Sequence, residues 1–142
     1  MSLDQSAKWQ IIPIPESNTF NQYFSGSEYR RTGKNTIEIK FAIQESSSNS
    51  MGFIHGAYLA AAAEMVLALP LWVKGSIDYG RAVTVDLDLK YMTNSQAARG
   101  LEAEVELLHE TGKLGFLRGL LKQGEMELLS FQATVRKVPV KE

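Results

Sequence analysis

Residues 56–73 read GAYLAAAAEMVLALPLWV, and this stretch decides how the rest of the chain is understood. Glu64 is its only charge, and Pro70 interrupts it near the end. An apolar run of this length reads as a helix, and 18 residues is just enough to span a bilayer. A carboxylate at the bilayer centre costs a few kcal/mol, however, and Glu64 stands in the middle. The flanking segments are also short and amphipathic. The run therefore predicts a buried helix in a soluble domain, apolar all round and wrapped on most sides by other elements. A membrane span is not expected.

Working outward, the flanks alternate. Upstream, Ile37, Ile39, Phe41 and Ile43 are separated by Glu38, Lys40 and Ala42. Together with Glu28–Arg31 and the Thr32-Gly33-Lys34 turn, they read as a hairpin with one apolar face. The polar loop 44–52, QESSSNSMG, leads into the helix. Downstream, residues 83–91 alternate strictly: Val83, Val85, Leu87, Leu89 and Tyr91 against Thr84, Asp86, Asp88 and Lys90. This is the clearest strand in the chain, and it puts Thr84 on the polar face. Residues 101–107 form a second strand, 114–122 a third and 126–138 a fourth, turned at Gly112 and Gly124 and ended by Pro139. The first 25 residues are weakly patterned, with one helical turn expected in SNTFNQYF.

Two strands, one long helix and four strands predict an α+β fold. About six antiparallel strands curve around one central helix, leaving two uncovered sheet edges. The hotdog fold has this order. Edge-to-edge pairing of two chains is expected from the open edges.

Composition narrows the chemistry. The chain has 142 residues, one domain's length, with 15 Lys plus Arg against 16 Asp plus Glu. A net charge of −1 argues against an electrostatic nucleic-acid binder. With no cysteine there is no disulfide, thiolate metal site or cysteine nucleophile. With only two histidines, His55 and His109, no metal is expected. The opening MSLDQSAKWQ has an acid at Asp4 and no apolar core before Trp9, so no secretory signal is expected and the location predicted is cytoplasmic.

Candidate chemistry concentrates at Asn49-Ser50-Met51-Gly52-Phe53-Ile54-His55-Gly56-Ala57 and at Glu64. Gly56 lies at the helix mouth, where free N–H groups and the positive end of the dipole can polarise an acyl carbonyl. Glu64 follows His55 by nine residues, about two and a half turns. A lone carboxylate among alanines is costly unless paired or functional. Asn49 can donate and accept beside the mouth. Each residue also has a plain structural alternative. Glu64 can pair with Arg81, Lys74 or a neighbouring chain. His55 can bond loop carbonyls, Asn49 can be a loop or cap residue, and Thr84 can be present for strand propensity alone.

Taken together, these residues resemble the hotdog-fold acyl-coenzyme A thioesterases of the phenylacetate-degradation type. That family shows an Asn, a Gly three residues on, His-Gly-Gly after three more, and an acid nine past the His. Asn49, Gly52, His55-Gly56 and Glu64 occupy those positions. A later family strand reads Val-Thr-Val-Asp-Leu and then Tyr, matched by Val83–Leu87 and Tyr91, and Gly100 resembles the glycine opening the next strand. The resemblance covers about residues 35–137. It departs at Ala57 for the second glycine, at Glu64 where many members have Asp, and at Met92–Ser95 where a basic residue and a proline are frequent.

The resemblance implies hydrolysis of an acyl- or aryl-coenzyme A thioester to the free acid and coenzyme A. Glu64 acts as general base or nucleophile, the Gly56 N–H polarises the carbonyl, and Asn49, Thr84 and His55 assist. Gly52 and Ala57 are implied as substrate contacts. Arg99 and Lys113, with Arg118 and Lys122, are candidates for the coenzyme A phosphates. No cofactor is implied, coenzyme A being part of the substrate. The site is shared between subunits of a homodimer or homotetramer. The alternatives are a hotdog 3-hydroxyacyl dehydratase and a non-catalytic acyl-coenzyme A-binding protein.

Overall fold

The period-two segments become one seven-stranded antiparallel sheet in a computed structural model that describes residues 7–17, 19–96 and 99–140. In chain order the strands are β1 (Gln10–Ile11), β2 (Glu28–Arg31), β3 (Thr36–Phe41), β4 (Ala82–Tyr91), β5 (Leu101–Glu110), β6 (Leu114–Gln123) and β7 (Met126–Lys137). Across the sheet they run β1-β2-β3-β5-β6-β7-β4. Six of these strands are the expected ones. The seventh, β1, pairs only Gln10 with Tyr29 and Ile11 with Glu28. Two residues are too few to show alternation. The expected helical turn is a 3₁₀ turn at Phe20–Phe24, which buries Phe24.

The apolar run folds as α1 (Gly56–Val66) and α2 (Leu69–Lys74) rather than as one unbroken helix. Pro70 causes the break. It lacks an N–H and its ring clashes within a continuing helix, but it fits the first turn of a new one. On α1 the buried stripe is Leu59, Ala62, Ala63 and Val66. Ala62 and Ala63 are 0% exposed, and their small side chains let the helix sit close against the sheet. The opposite side carries exposed Ala57 and Glu64. The other residues of α1 are at least partly buried, as expected of a helix wrapped on most sides. One sheet face covers one helical stripe, and Ala57 and Glu64 mark what is left open within a single chain. The stretch Gly56–Lys74 is long and apolar enough to cross a membrane by length and composition, yet its large side chains Leu59, Val66, Leu69 and Leu71 lie in the core.

Under the helices the sheet's inner face is built from alternate residues, such as Val105, Leu107, Leu117 and Leu121. Gly119 is required here, because Phe131 lies across it. A Cβ would sit 2.3 Å from Phe131 Cζ and 2.6 Å from the Glu104 carbonyl oxygen. The outer face is polar, with cross-strand pairs Arg30–Glu38, Arg118–Glu106 and Lys122–Glu104. Trp9 is held there between Arg30 and Lys40.

Three bulges break the alternation, at Val85, Leu108 and Leu128, and the first two reposition carboxylate contacts. On β4, Thr84 pairs with Val135 and Asp86 with Thr134, so Val85 is an extra residue. Directly opposed residues share a face. Val135 is buried, so Thr84 belongs to the inner face. The polar-face assignment of Thr84 is thereby overturned, and Val83 and Val85 are left 52% and 58% exposed on the open edge. On β5, Leu107 pairs with Leu117 and His109 with Phe116, so Leu108 is extra. That shift turns Glu110 inward, although Glu104 and Glu106 of the same strand face out.

Candidate active site at the helix mouth and the β4 bulge

Residues 47–55 form a closed loop that delivers the chain to α1. Asn49 and Gly52 span a turn, with the Gly52 N–H on the Asn49 carbonyl at 3.0 Å. Gly52 has φ +81°, a conformation that a side chain opposes, which accounts for glycine there. The Asn49 side chain draws the loop together, its Oδ1 accepting from the Met51 N–H at 3.0 Å and the Phe53 N–H at 3.1 Å. The Asn49 N–H bonds the Phe53 carbonyl, and Ser48 bridges Ile54. Buried Ser95, which the sequence pattern does not single out, accepts the Ile54 N–H at 3.0 Å. The loop alternative for Asn49 is thus what its side-chain oxygen does, and its Nδ2 meets no acceptor among the described residues.

His55 is the N-cap of α1. Its Nδ1 accepts the Ala57 N–H at 3.0 Å, so a neutral ring carries its hydrogen on Nε2. Its own N–H bonds the Ser47 carbonyl at 2.7 Å. The Ala57 amide is therefore occupied. The Gly56 N–H, by contrast, meets no acceptor among the described residues, as expected for a first-turn amide. Tyr91, at the end of β4, fixes the same turn by donating its hydroxyl hydrogen to the Gly56 carbonyl at 2.7 Å. Only its place in a family-like strand marks Tyr91 in the sequence; alternation gives no reason to join it to Gly56.

Two turns down α1, Thr84 donates to Glu64 Oε2 at 2.8 Å. The β4 bulge makes this contact. Without the extra residue Thr84 would share the outer face with Asp86, away from the helix. Glu64 Oε1 has no partner among the described residues. The cations considered as partners are engaged elsewhere, Lys74 with Glu110 at 2.8 Å and Arg81 with the Pro139 carbonyl at 2.7 Å. Glu64 also borders a groove of about 470 Å³, otherwise lined mostly by apolar side chains.

The remaining candidates separate. Arg99 is exposed in the segment before β5, its N–H on the Gln96 carbonyl, at the end of the sheet where Ser95 meets the mouth loop. Lys113 lies in the β5–β6 turn at the other end of β5. Ten strand residues put those ends about 30 Å apart, so Arg99 and Lys113 of one chain do not converge. Arg118 and Lys122 are ion-paired on the outer sheet face. Among the described residues, no three His, Asp or Glu side chains cluster as a metal set.

A larger concavity, about 620 Å³, crosses the outer sheet face between Glu38, Glu104, Arg118 and Lys90. It contains none of the mouth or β4-bulge residues.

No family model matches the sequence, and no curated protein matches it. Solved structures do. Thioesterase superfamily member 2 of zebra fish superposes with TM-score 0.73 at 18% identity, over 86% of this chain and 88% of the other. A phenylacetic acid degradation-related protein of Ralstonia eutropha gives TM-score 0.71 at 20% identity, over 86% and 92%. A hypothetical thioesterase of Streptococcus pneumoniae, solved with coenzyme A, gives 0.72 at 16% identity, over 85% and 92%. An antiparallel sheet curved against a helix begun at Gly56, with β4 closing one edge, is the architecture these proteins share, and the chain has the hotdog fold.

Proposed function

We propose that the protein is a thioester hydrolase acting on an acyl-coenzyme A, with Glu64 as general base. The observation that carries this reading is the Thr84–Glu64 hydrogen bond at 2.8 Å, made by a bulge, on an open helix face beside an apolar groove. A carboxylate without a cation, oriented through one oxygen, keeps its other oxygen for a water proton. The thioesterase neighbours, one of them solved with coenzyme A, support the same chemistry.

In this reading Glu64 Oε1 takes a proton from water, and the hydroxide oxygen bonds to the thioester carbonyl carbon. The oxyanion is held by a Gly56 N–H at the positive end of α1. The C–S bond then breaks, and the proton passes to the departing thiolate. Asn49 Nδ2 offers a donor to the carbonyl or the water. His55 acts by capping the helix and fixing the mouth. Arg99, exposed near the mouth loop, is proposed to contact a phosphate of coenzyme A.

The two halves come from different chains. Gly56 and Glu64 are eight residues apart on one helix, about 12 Å along its axis. One carbonyl group cannot reach both. A second copy, paired through the open β4 edge with its exposed Val83 and Val85, supplies the partner subunit's Gly56 to this Glu64. The assembly proposed is a homodimer, or a tetramer built from it.

Thiol release from acetyl, medium-chain, long-chain and aryl coenzyme A thioesters tests the reading. Release from at least one class is expected, together with a dimer or larger species in sedimentation. A folded dimer that releases thiol from none of them would end the hydrolase assignment.

A further inference from the structure

The groove beside Glu64 has a definite direction. It follows one stripe of the helical pair, with Ala61, Met65, Ala68 and Trp72 as one wall, and Ile77 and Tyr79 stand opposite. Glu64 lies towards the Ala61 end of the stripe, and Trp72 is at the other. Phe20 of the 3₁₀ turn also lines the groove. The small side chains at 61 and 68 leave the width, and Trp72 is the last helical residue along the groove.

Trp72 is a fixed wall. Its indole meets Tyr29 of β2 edge-on at 5.1 Å and Tyr79 edge-on at 5.4 Å. Such contacts on two sides hold a ring in one orientation. Glu64 on α1 and Trp72 on α2 are eight residues apart across the Leu67-Ala68 turn, at most about 12 Å at the helical rise. A zigzag carbon chain advances roughly 1.3 Å per bond of about 1.5 Å. About eight to ten carbons therefore fit between the carboxylate and the indole.

We infer that this groove takes the acyl arm of the substrate, that the substrates are medium-chain acyl thioesters, and that Trp72 sets the upper limit on chain length. The inference rests on the hydrolase reading for its substrate, but the groove and its end wall are independent of who performs the chemistry. Glu64 reaches the carbonyl end of the chain, and the apolar lining takes the rest. A volume of about 470 Å³ lies within the usual range for small-ligand sites.

The test compares thiol release across saturated coenzyme A thioesters of two to sixteen carbons for the wild type, Trp72→Ala and Ala68→Leu. For the wild type, kcat/KM is expected to rise to about eight carbons and fall beyond about ten. Trp72→Ala should raise the dodecanoyl-to-octanoyl ratio of kcat/KM about tenfold. Ala68→Leu keeps a strong helix former and narrows the groove, so it should lower the octanoyl-to-butyryl ratio about tenfold. Ratios unchanged in both variants overturn the proposal. If the wild type cleaves no thioester, the hydrolase reading fails, and affinity then decides the groove. Octanoyl-coenzyme A binding tighter than coenzyme A, with the difference lost in Ala68→Leu, upholds it. Equal binding of the two compounds overturns it.

Discussion

Glu110 on β5 and Glu64 on α1 each make their contact between sheet and helices through a strand bulge, and they meet opposite surroundings there. Glu110 accepts from Lys137 Nζ at 2.6 Å, Lys74 Nζ at 2.8 Å and Ser76 Oγ at 3.0 Å. The hydrogen bonds from Lys137 and Lys74 hold its carboxyl down at about 2, against an ordinary 4.5. Glu64 accepts from one neutral hydroxyl and faces out. The first carboxylate is saturated, and it ties the end of α2 to β5 and β7. The second is aimed and left unsaturated. A carboxylate with both oxygens engaged by cations stabilises a fold, whereas one with a free oxygen on an open face is available to a substrate.

Removing each carboxylate should separate these roles most sharply at Glu64. Glu64→Gln is expected to lose at least about a hundredfold in turnover, the usual scale for a lost general base. Its folding free energy should stay within about 0.5 kcal/mol, as for an exposed position. Thiol release and denaturant unfolding measured on the same samples check both halves. Comparable turnover losses in Glu64→Gln and Glu110→Gln would erase the distinction between the two sites.

The next largest effect should come from the β4 edge, because the site proposed at Glu64 takes a second chain and the Glu110 clasp lies within one. Val83→Lys with Val85→Lys puts like charges along the pairing edge. Sedimentation at micromolar concentration should show monomer. Turnover should fall at least about tenfold and recover as protein concentration rises. A fully active monomer would show that one chain holds a complete site.

Glu110 supplies the converse. Its folded carboxyl protonates near 2 rather than 4.5. Its contribution is therefore complete above about 4.5 and disappears as the pH falls towards 2. Glu110→Gln should lose about 2 kcal/mol near pH 7, a figure reduced for solvent screening at a side chain that is 19% exposed. The gap between wild type and variant should close as pH approaches 2, with turnover little changed. A gap that widens in acid would show that the clasp is not what lowers this carboxyl.

Element order is legible in the sequence, since each long strand alternates for several residues and the helix is the one long apolar run. So are the mouth residues, because Asn49, Gly52, His55 and Gly56 act through short-range turn and cap chemistry. A period-two pattern cannot encode the bulges. One extra residue at Val85 reverses the face of Thr84 and Val83 while the letters keep alternating, whereas at Leu107-Leu108 the alternation itself stops. Val83 and Val85 read as core for that reason, and Thr84 reads as surface. Glu64 reads as buried because an apolar stretch implies wrapping on most sides. Within one chain the wrapping stops short of Ala57 and Glu64. Charge alone groups Lys113 with Arg99, and the length of β5 places them at opposite ends.

The finest division lies within the Glu64 site, between aiming the carboxylate and supplying its charge. Thr84 touches Oε2 only, so its removal should leave the base in place but unaimed. Thr84→Val keeps the shape and removes the donor, and about a tenfold loss in kcat is expected, near 1.4 kcal/mol. Thr84→Ser keeps the hydroxyl and should stay within about threefold of wild type, close to 0.6 kcal/mol. Valine is a good strand residue, so the bulged strand should tolerate it. Rescue by serine distinguishes orientation from packing: if serine is as slow as valine, the threonine methyl rather than its hydrogen bond is what β4 brings to the helix. The ordering Glu64→Gln, then Thr84→Val, then Thr84→Ser is what a base with one oriented oxygen requires. Equal losses at Thr84 and Glu64 would instead make the pair a single catalytic unit, with the hydroxyl taking part in proton transfer.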